Sequence, residues 1–319
     1  MRILRHYRGV SADGRGTVAA LGNFDGVHLG HRALLREAAR LAHEEGTLFS
    51  VFVFEPYPRE YFLPDSEPFR LTPFRSKARL LEEIGADLLL VFPFDNNLAQ
   101  MSAQDFVLDV LVKELGVRHV VVGEDFRFGN GRAGDATALA YMGEMEDFGV
   151  TIFKHLSDGA GQKISSSRIR DALREGRPAE AARLLGHWWS IEAHVTEGDK
   201  RGRTLGFPTA NLTLSGTISP AFGVYAVRAY IRGLGHFHEG VANFGIRPTF
   251  TSPTPILEVN LFDFVGELYG QLLRVEFISY LRAERKFDDL EALKAQLSAD
   301  KNAAKAHLRL ARTIPALDP

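Results

Sequence analysis

The hydrophobic pattern changes period part-way along the chain, and that change limits the fold more than any other feature. Before about residue 186, apolar runs of strand type at 18–24, 48–54, 88–94, 120–123 and 151–153 alternate with helical patterns. The helical stripes are Leu34, Leu35, Ala38 and Leu41; Leu80, Leu81 and Ile84; and Phe106, Val110, Leu111 and Leu115. Near-continuous apolar strands separated by amphipathic helices predict a parallel sheet covered on both faces. That is a Rossmann-like, doubly wound α/β domain, whose ligands bind beyond the carboxyl ends of the strands. After residue 186 the period is two: Ile191, Ala193 and Val195 alternate with Glu192, His194 and Thr196. Short strand patterns follow at 224–231, 240–243, 256–262 and 272–278, with Gly- and Pro-containing turns between them. They predict a small antiparallel barrel or sandwich, of which the β-barrel is the expected form. A closing helix is expected from Asp288, where Asp288 and Glu291 have capping-box spacing and Leu290, Leu293 and Leu297 form the buried stripe. Residues 176–189 join the two patterns. Two domains follow, 1–185 and 186–319, in keeping with roughly 150 residues per domain.

Composition narrows the possible partners. The 38 basic and 40 acidic residues leave a formal net charge of −2, without the basic excess of a protein that grips nucleic acid. Small phosphorylated ligands remain open, because they need only a few cations and backbone amides. With no cysteine, disulfides, thiolate metal sites and Cys nucleophiles are excluded. The start of the chain lacks the apolar core of a signal peptide, and no apolar run is long enough to span a bilayer. The expected setting is the cytoplasm, with no membrane partner.

Candidate chemistry sits first where the opening strand hands over to a helix, at Gly22-Asn23-Phe24-Asp25-Gly26-Val27-His28-Leu29-Gly30-His31. Glycines there let a ligand approach the backbone, and a helix N-terminus offers free amides to an anion. Two imidazoles three residues apart can donate to phosphate oxygens as charge builds on phosphorus. An isolated H-x-x-H is more often a pair of surface histidines, and a metal pair is a third reading, although no third ligand is evident. The glycines and the strand-to-helix position favour the phosphate reading. A second anion cradle is expected at Lys163-Ile164-Ser165-Ser166-Ser167-Arg168-Ile169-Arg170, where three hydroxyls at a helix N-cap precede two arginines. Gly129-Asn130-Gly131-Arg132-Ala133-Gly134 fits the dinucleotide fingerprint G-x-G-x-x-G. It follows a late strand, however, and Lys154 stands where a ribose-binding acid belongs.

In the second half, Gly198-Asp199-Lys200-Arg201-Gly202-Arg203-Thr204-Leu205-Gly206-Phe207-Pro208-Thr209-Ala210-Asn211 joins a basic loop to two oxygen ligands. Thr209 and Asn211 could bind a hard cation such as Mg²⁺, which bridges protein to nucleotide phosphates; a plain β-turn connection fits the same residues. Glu258 and Asn260 share the strand face opposite Leu257, Val259 and Leu261. A carboxylate there could take a proton from a substrate hydroxyl, although most alternating glutamates are simply solvated.

Together these segments resemble the bacterial bifunctional riboflavin kinase/FAD synthetases. Residues 22–31 and 164–170 are similar to the two phosphate-binding motifs of the nucleotidylyltransferase superfamily. Phe54-Glu55-Pro56-Tyr57-Pro58 and Gly123-Glu124-Asp125-Phe126-Arg127-Phe128-Gly129 narrow the likeness to FAD synthetases. Pro208-Thr209-Ala210-Asn211, Asn243-Phe244-Gly245-Ile246-Arg247-Pro248-Thr249-Phe250 and the Glu258 strand before Leu268-Tyr269-Gly270 resemble riboflavin kinase. The resemblance implies that His28 and His31 contact the ATP phosphates and that Ser165, Ser166 and Arg168 hold the outer ones. Asp125 would line the flavin and nucleotide pocket, with Gly22, Phe24, Asp25, Gly26 and Gly30 as further ATP- or flavin-binding positions. In the kinase half it implies Glu258 as catalytic base, and Thr209 and Asn211 as the magnesium–ATP ligands. Gly198, Lys200, Gly206 and Pro208 would be binding positions there, and Arg285 would contact flavin. The substrates implied are riboflavin, FMN and ATP, with Mg²⁺ as the cation.

Overall fold

The computed structural model describes residues 1–197, 207–214, 216–232, 234–247, 254–311 and 313–314. By packing, the chain divides into two units, one of 1–67 with 72–164 and one of 68–71 with 165–319.

The first unit is built on six strands, β1 (Arg2–Leu4), β2 (Val18–Leu21), β3 (Phe49–Glu55), β4 (Leu88–Pro93), β5 (His119–Gly123) and β8 (Gly149–Phe153). A two-stranded ribbon, β6 (Arg127–Phe128) and β7 (Gly134–Asp135), lies between β5 and β8 in the chain. The sheet order is β1-β4-β3-β2-β5-β8, and every neighbouring pair is parallel. Its helices are α1 (Leu29–Glu44), α2 (Pro58–Phe62), α3 (Phe74–Ile84), α4 (Asn96–Gln100), α5 (Ala103–Asp105) and α6 (Ala136–Met145). Each face of the sheet carries its own core, as a doubly covered parallel sheet requires. Phe52 of β3 packs into the cluster with Phe92, Val110 and Leu111, while its neighbours Val51 and Val53 join Leu35, Leu81 and Leu89 on the other side. The expected helix over 106–115 exists, but Phe106–Glu114 is π-helical, with Leu115 N donating to Val110 O at 3.1 Å. From β2 the chain lays β3 and β4 on one side and later β5 and β8 on the other. The winding reverses between β2 and β5, which is where such a sheet opens a crevice for ligand.

The second unit contains α7 (Ser166–Arg174), α8 (Pro178–Leu185) and six strands. These are β9 (Ser190–His194), β10 (Ala210–Thr213), β11 (Gly223–Ile231), β12 (Phe237–Arg247), β13 (Thr254–Leu261) and β14 (Leu272–Arg282). They pair antiparallel in the order β10-β13-β12-β11-β14-β9. A bridge from Thr196 N to Asn211 O at 2.9 Å joins the two end strands and closes the barrel. Leu257 opposite Phe244 and Val259 opposite Ala242 fill its interior. The last helix, α9 (Leu290–Leu310), buries Ala304 and Leu308 with Val224, Ala226 and Ile278. Its N-cap is Asp289, whose side chain accepts from Ala292 N at 2.7 Å, one residue beyond the expected Asp288.

The packing boundary at Ile164/Ser165 lies upstream of the change in strand pattern, because α7 and α8 pack with the barrel. Ala221 N donates to Leu173 O at 3.0 Å, and Trp189 Nε1 donates to Leu71 O at 2.9 Å. A fragment starting at Ser165 keeps these helices, whereas one starting at Arg183 loses the buried Ile169 and Leu173. Each such side chain contributes about 1.5–3 kcal/mol, so the shorter fragment should be about 3–6 kcal/mol less stable. Urea unfolding of the two fragments checks this. Equal stability would mean that α7 and α8 add nothing to this unit.

Candidate active sites

In the first unit the turn between β2 and α1 is held in a costly shape. Gly26 has φ 87°, and Phe24 (48°) and Val27 (43°) also have positive φ, where a β-branched residue is a real outlier. Each such residue costs roughly 1–3 kcal/mol and persists only where packing enforces it. Phe24 and Val27 are both buried. The turn is also tethered to the start of α3. Thr72 Oγ1 accepts from Gly26 N at 3.0 Å, and the Asp25 carboxylate accepts from Thr72 N at 3.1 Å and Thr72 Oγ1 at 3.3 Å. Tyr57 Oη donates to the same carboxylate at 3.4 Å. Asp25 is therefore a buried strut of the turn.

His28 is the N-cap of α1, extended rather than helical, and its Nδ1 accepts from His31 N at 3.2 Å. A neutral ring that accepts at Nδ1 carries its proton on Nε2, available for donation. The two imidazoles stack with centroids 3.5 Å apart, and Phe24 meets His31 edge-on at 5.3 Å. Burial first, and then the charges of His28 and Lys77, hold His31 well below the usual histidine value. His31 is thus neutral at pH 7, and its buried Nδ1 has no hydrogen-bond partner in the protein. At Gly30 a Cβ would come within 3.2 Å of the His28 ring, a tight contact that would press on the stacked imidazoles.

A pocket of about 700 Å³ opens beside His31, within the range of small-molecule sites. Its walls come from the ends of β2 (Leu21, Gly22) and β5 (Gly123), with Phe54, Phe94 and Phe128 as aromatic surfaces. Asp125 lines it, and a 2.6 Å bond from Lys163 Nζ holds its carboxyl below the ordinary range. The pocket arginines Arg59, Arg127 and Arg132 were not legible from spacing. Arg127 is paired with Asp135 at 3.1 Å. The glycines of the dinucleotide-like run serve packing. A Cβ on Gly129 would strike the Ala103 backbone at 2.6 Å, and one on Gly134 the Phe128 ring at 2.7 Å.

Ser165, Ser166 and Arg168 fall in the second packing unit. Ser165 caps α7 by accepting from Arg168 N at 3.4 Å, Ser166 opens that helix, and Arg170 donates to Phe69 O at 2.7 Å.

On the barrel, strand register brings three polar residues into one row. Asn211 on β10 stands directly opposite Glu258 on β13, which stands opposite Asn243 on β12. Side chains so placed share a face with Cβ atoms about 4.5–5.5 Å apart. Asn211 is buried, and its Oδ1 has no hydrogen-bond partner in the protein. A buried oxygen without a donor suits a hard cation, and the hydroxyl of Thr209, two residues earlier and half-buried, is the second candidate oxygen. Pro208 is exposed, and its carbonyl accepts from Asn260 Nδ2 at 2.8 Å, which anchors the approach to β10. Asn243 Nδ2 donates to Glu284 Oε1 at 3.0 Å, and Gly245 leaves room for that carboxylate. Sequence placed Asn260 on the face of Glu258 without a role and did not mark Glu284; register and cross-strand contact reveal what each does. Arg285 lies 4.9 Å over the Phe287 ring and donates to Gln296. Gly198, Lys200 and Gly206 lie outside the described residues, as do Pro248, Thr249 and Phe250.

Comparison with known proteins joins these two arrangements. An FAD synthetase family model matches residues 10–168, and a riboflavin kinase family model matches 185–308. The bifunctional riboflavin kinase/FMN adenylyltransferase of Escherichia coli K12 is 42% identical over 98% of this chain and 99% of its own length. The chain belongs to the bifunctional riboflavin kinase/FMN adenylyltransferase family. Its relative of that name in Bacillus subtilis is 40% identical, covering 90% of this chain and 91% of the relative. A crystal structure described as a macrolide-efflux protein from Streptococcus pneumoniae superposes with a TM-score of 0.84 at 31% identity, covering 95% and 98% of the two chains. Among the described residues no helix is long and apolar enough to cross a membrane. Within the family frame, the FAD synthetase match takes in the β2–α1 turn, the pocket and residues 165–168, and the riboflavin kinase match takes in the Asn211–Glu258–Asn243 row.

Proposed function

We propose that this family member makes both flavin cofactors, with 1–185 as the adenylyltransferase domain and 186–319 as the kinase domain. The reading is supported by the strained turn that stacks His28 on His31 in one unit and by the register that sets Asn211 opposite Glu258 in the other, two arrangements suited to phosphate chemistry.

In the kinase reaction, Glu258 takes the proton of the riboflavin hydroxyl as that oxygen bonds to the γ-phosphorus of ATP. The bond from that phosphorus to the bridging oxygen breaks, and FMN and ADP leave. Thr209 and Asn211 would hold Mg²⁺, which when bound neutralises phosphate charge. Pro208, fixed by Asn260, sets the position of both ligands. Gly198, Lys200 and Gly206 are assigned to ATP and Arg285 to flavin on family resemblance.

In the adenylyl transfer, a phosphate oxygen of FMN attacks the α-phosphorus of ATP, and pyrophosphate leaves with the electron pair of the broken bond. No proton need be abstracted from the FMN phosphate, so alignment and charge stabilisation carry the catalysis. His28 and His31 donate to the α-phosphate as negative charge grows on it. Ser165, Ser166 and Arg168 are assigned to the outer phosphates. Gly22, Phe24, Gly26 and Gly30 shape the turn, Asp25 braces it, and Asp125 borders the flavin pocket. The setting we assign is cytoplasmic, where riboflavin and ATP meet.

Chromatography of a reaction containing riboflavin, ATP and Mg²⁺ tests the reading. FMN should form first and FAD after it, and chelation of Mg²⁺ should suppress FMN formation. A protein that forms neither flavin nucleotide would refute it.

A further inference from the structure

Lys77, on the first turn of α3, takes no part in the chemistry above, yet its side chain has no solvent-exposed surface. Its Nζ lies 4.1 Å from the centroid of the Tyr57 ring and 3.7 Å from Glu55 Oε1. Glu55 ends β3 and Tyr57 caps α2, so the ammonium sits at the carboxyl end of the sheet. Taking an ammonium out of water costs several kcal/mol, and the Tyr57 ring face and the Glu55 carboxylate are among the groups that offset it. A buried charge retained at such cost has a local task.

The surrounding groups identify that task. Tyr57 meets the Lys77 ammonium with its ring and the Asp25 carboxylate with its hydroxyl, Glu55 meets the ammonium from β3, and His31, with His28 stacked on it, lies within reach of its charge. Thr72 and Tyr57 bind the Asp25 carboxylate to the elements that carry Lys77 and Glu55. Two carboxylates therefore underlie a turn whose assigned ligand is a polyanion, and Lys77 is the buried cation among them. Its charge reaches His31, where it adds to burial and His28 in disfavouring protonation.

We propose that Lys77 is a positioning residue for adenylyl transfer: its buried ammonium offsets the Glu55 and Asp25 carboxylates, so that the turn meets ATP without underlying negative charge. The inference rests on the adenylyltransferase reading of this unit. A fixed internal cation is more effective than a solvent counter-ion, because it is already in place and poorly screened. Without it the carboxylates repel the incoming phosphates and draw a proton onto His31.

The test uses the full-length protein. Lys77→Met should lower kcat/KM for ATP in FAD formation by about tenfold, the scale of one charge interaction at a protein's effective dielectric. His31, followed by NMR, should titrate at higher pH in this variant than in the wild type. Lys77→Arg should retain most of the wild-type rate. The double variant Lys77→Met/Glu55→Gln should recover much of the loss in rate, since removing one carboxylate restores the balance; melting curves of both variants separate this from a structural lysine, whose recovery would be in stability alone. FMN formation by the same preparations provides an internal control. Should Lys77→Met fail to fold, the double variant alone decides: FAD formation near the wild-type rate supports the inference, and a tenfold or greater loss overturns it. The inference is overturned if His31 titrates unchanged, or if the double variant is as impaired as the single one. Absence of FAD from the wild-type reaction would instead remove the adenylyltransferase reading.

Discussion

Glu258→Gln should reduce FMN formation ~100- to 10,000-fold while FAD formation from supplied FMN continues, because a general base typically contributes that much. The substitution keeps the shape of the side chain and removes only its capacity to take a proton. Glu258 stands opposite Asn211 and Asn243 in the strand register, so its location is set by backbone pairing that the substitution leaves alone. Riboflavin binding should survive, and the loss should appear in kcat. Steady-state rates for the two half-reactions, measured on one preparation, check this. Near-wild-type FMN production would make Glu258 a solvated strand residue and place the base elsewhere.

His28→Ala and His31→Ala should each slow FAD formation by about 100- to 1,000-fold, the usual loss when one preorganised charge-stabilising donor is removed. The rate should fall further than ATP affinity, since the stabilisation belongs mainly to the transition state. The kinase reaction should be unaffected. His28→Ala has a second cost, because it deletes the N-cap of α1, worth about 1 kcal/mol. Melting curves separate that loss from the catalytic one, and His31→Ala is free of it. A metal-ligand role predicts instead that excess metal partly restores activity. Among the described residues no group of three or more candidate ligands gathers there. Near-normal FAD synthesis in both variants would mean that the strand-to-helix turn has been misread.

Much of the fold is legible because burial writes itself into residue type. Both faces of β2, β3 and β4 are covered, so those strands read as near-continuous apolar runs, and the one-sided strands of the barrel read as alternation. The N-terminal turn is legible through its glycines and paired histidines. What the sequence hid depends on contacts between distant segments. The row from Asn211 through Glu258 to Asn243 is a consequence of register, which no single strand specifies. Lys77 reads as an ordinary helical lysine until β3 and α2 close over it. The segment expected only to join the two patterns contains α8, although Pro178 at its start and Gly186, with φ 74°, at its end are ordinary boundary signals. At the last helix two adjacent aspartates compete for the cap. Capping-box spacing selected Asp288, whereas the chain turns one residue later, at Asp289.

One chain performs two different transfers from ATP, phosphoryl transfer at the γ-phosphorus and adenylyl transfer at the α-phosphorus. Riboflavin supplied with ATP radiolabelled at one phosphorus or the other, followed by separation of the flavin products, distinguishes them. The γ-label should enter FMN and persist in FAD, while the α-label should enter FAD and never FMN. Label from only one position reaching the flavins, or α-label appearing in FMN, would contradict the account.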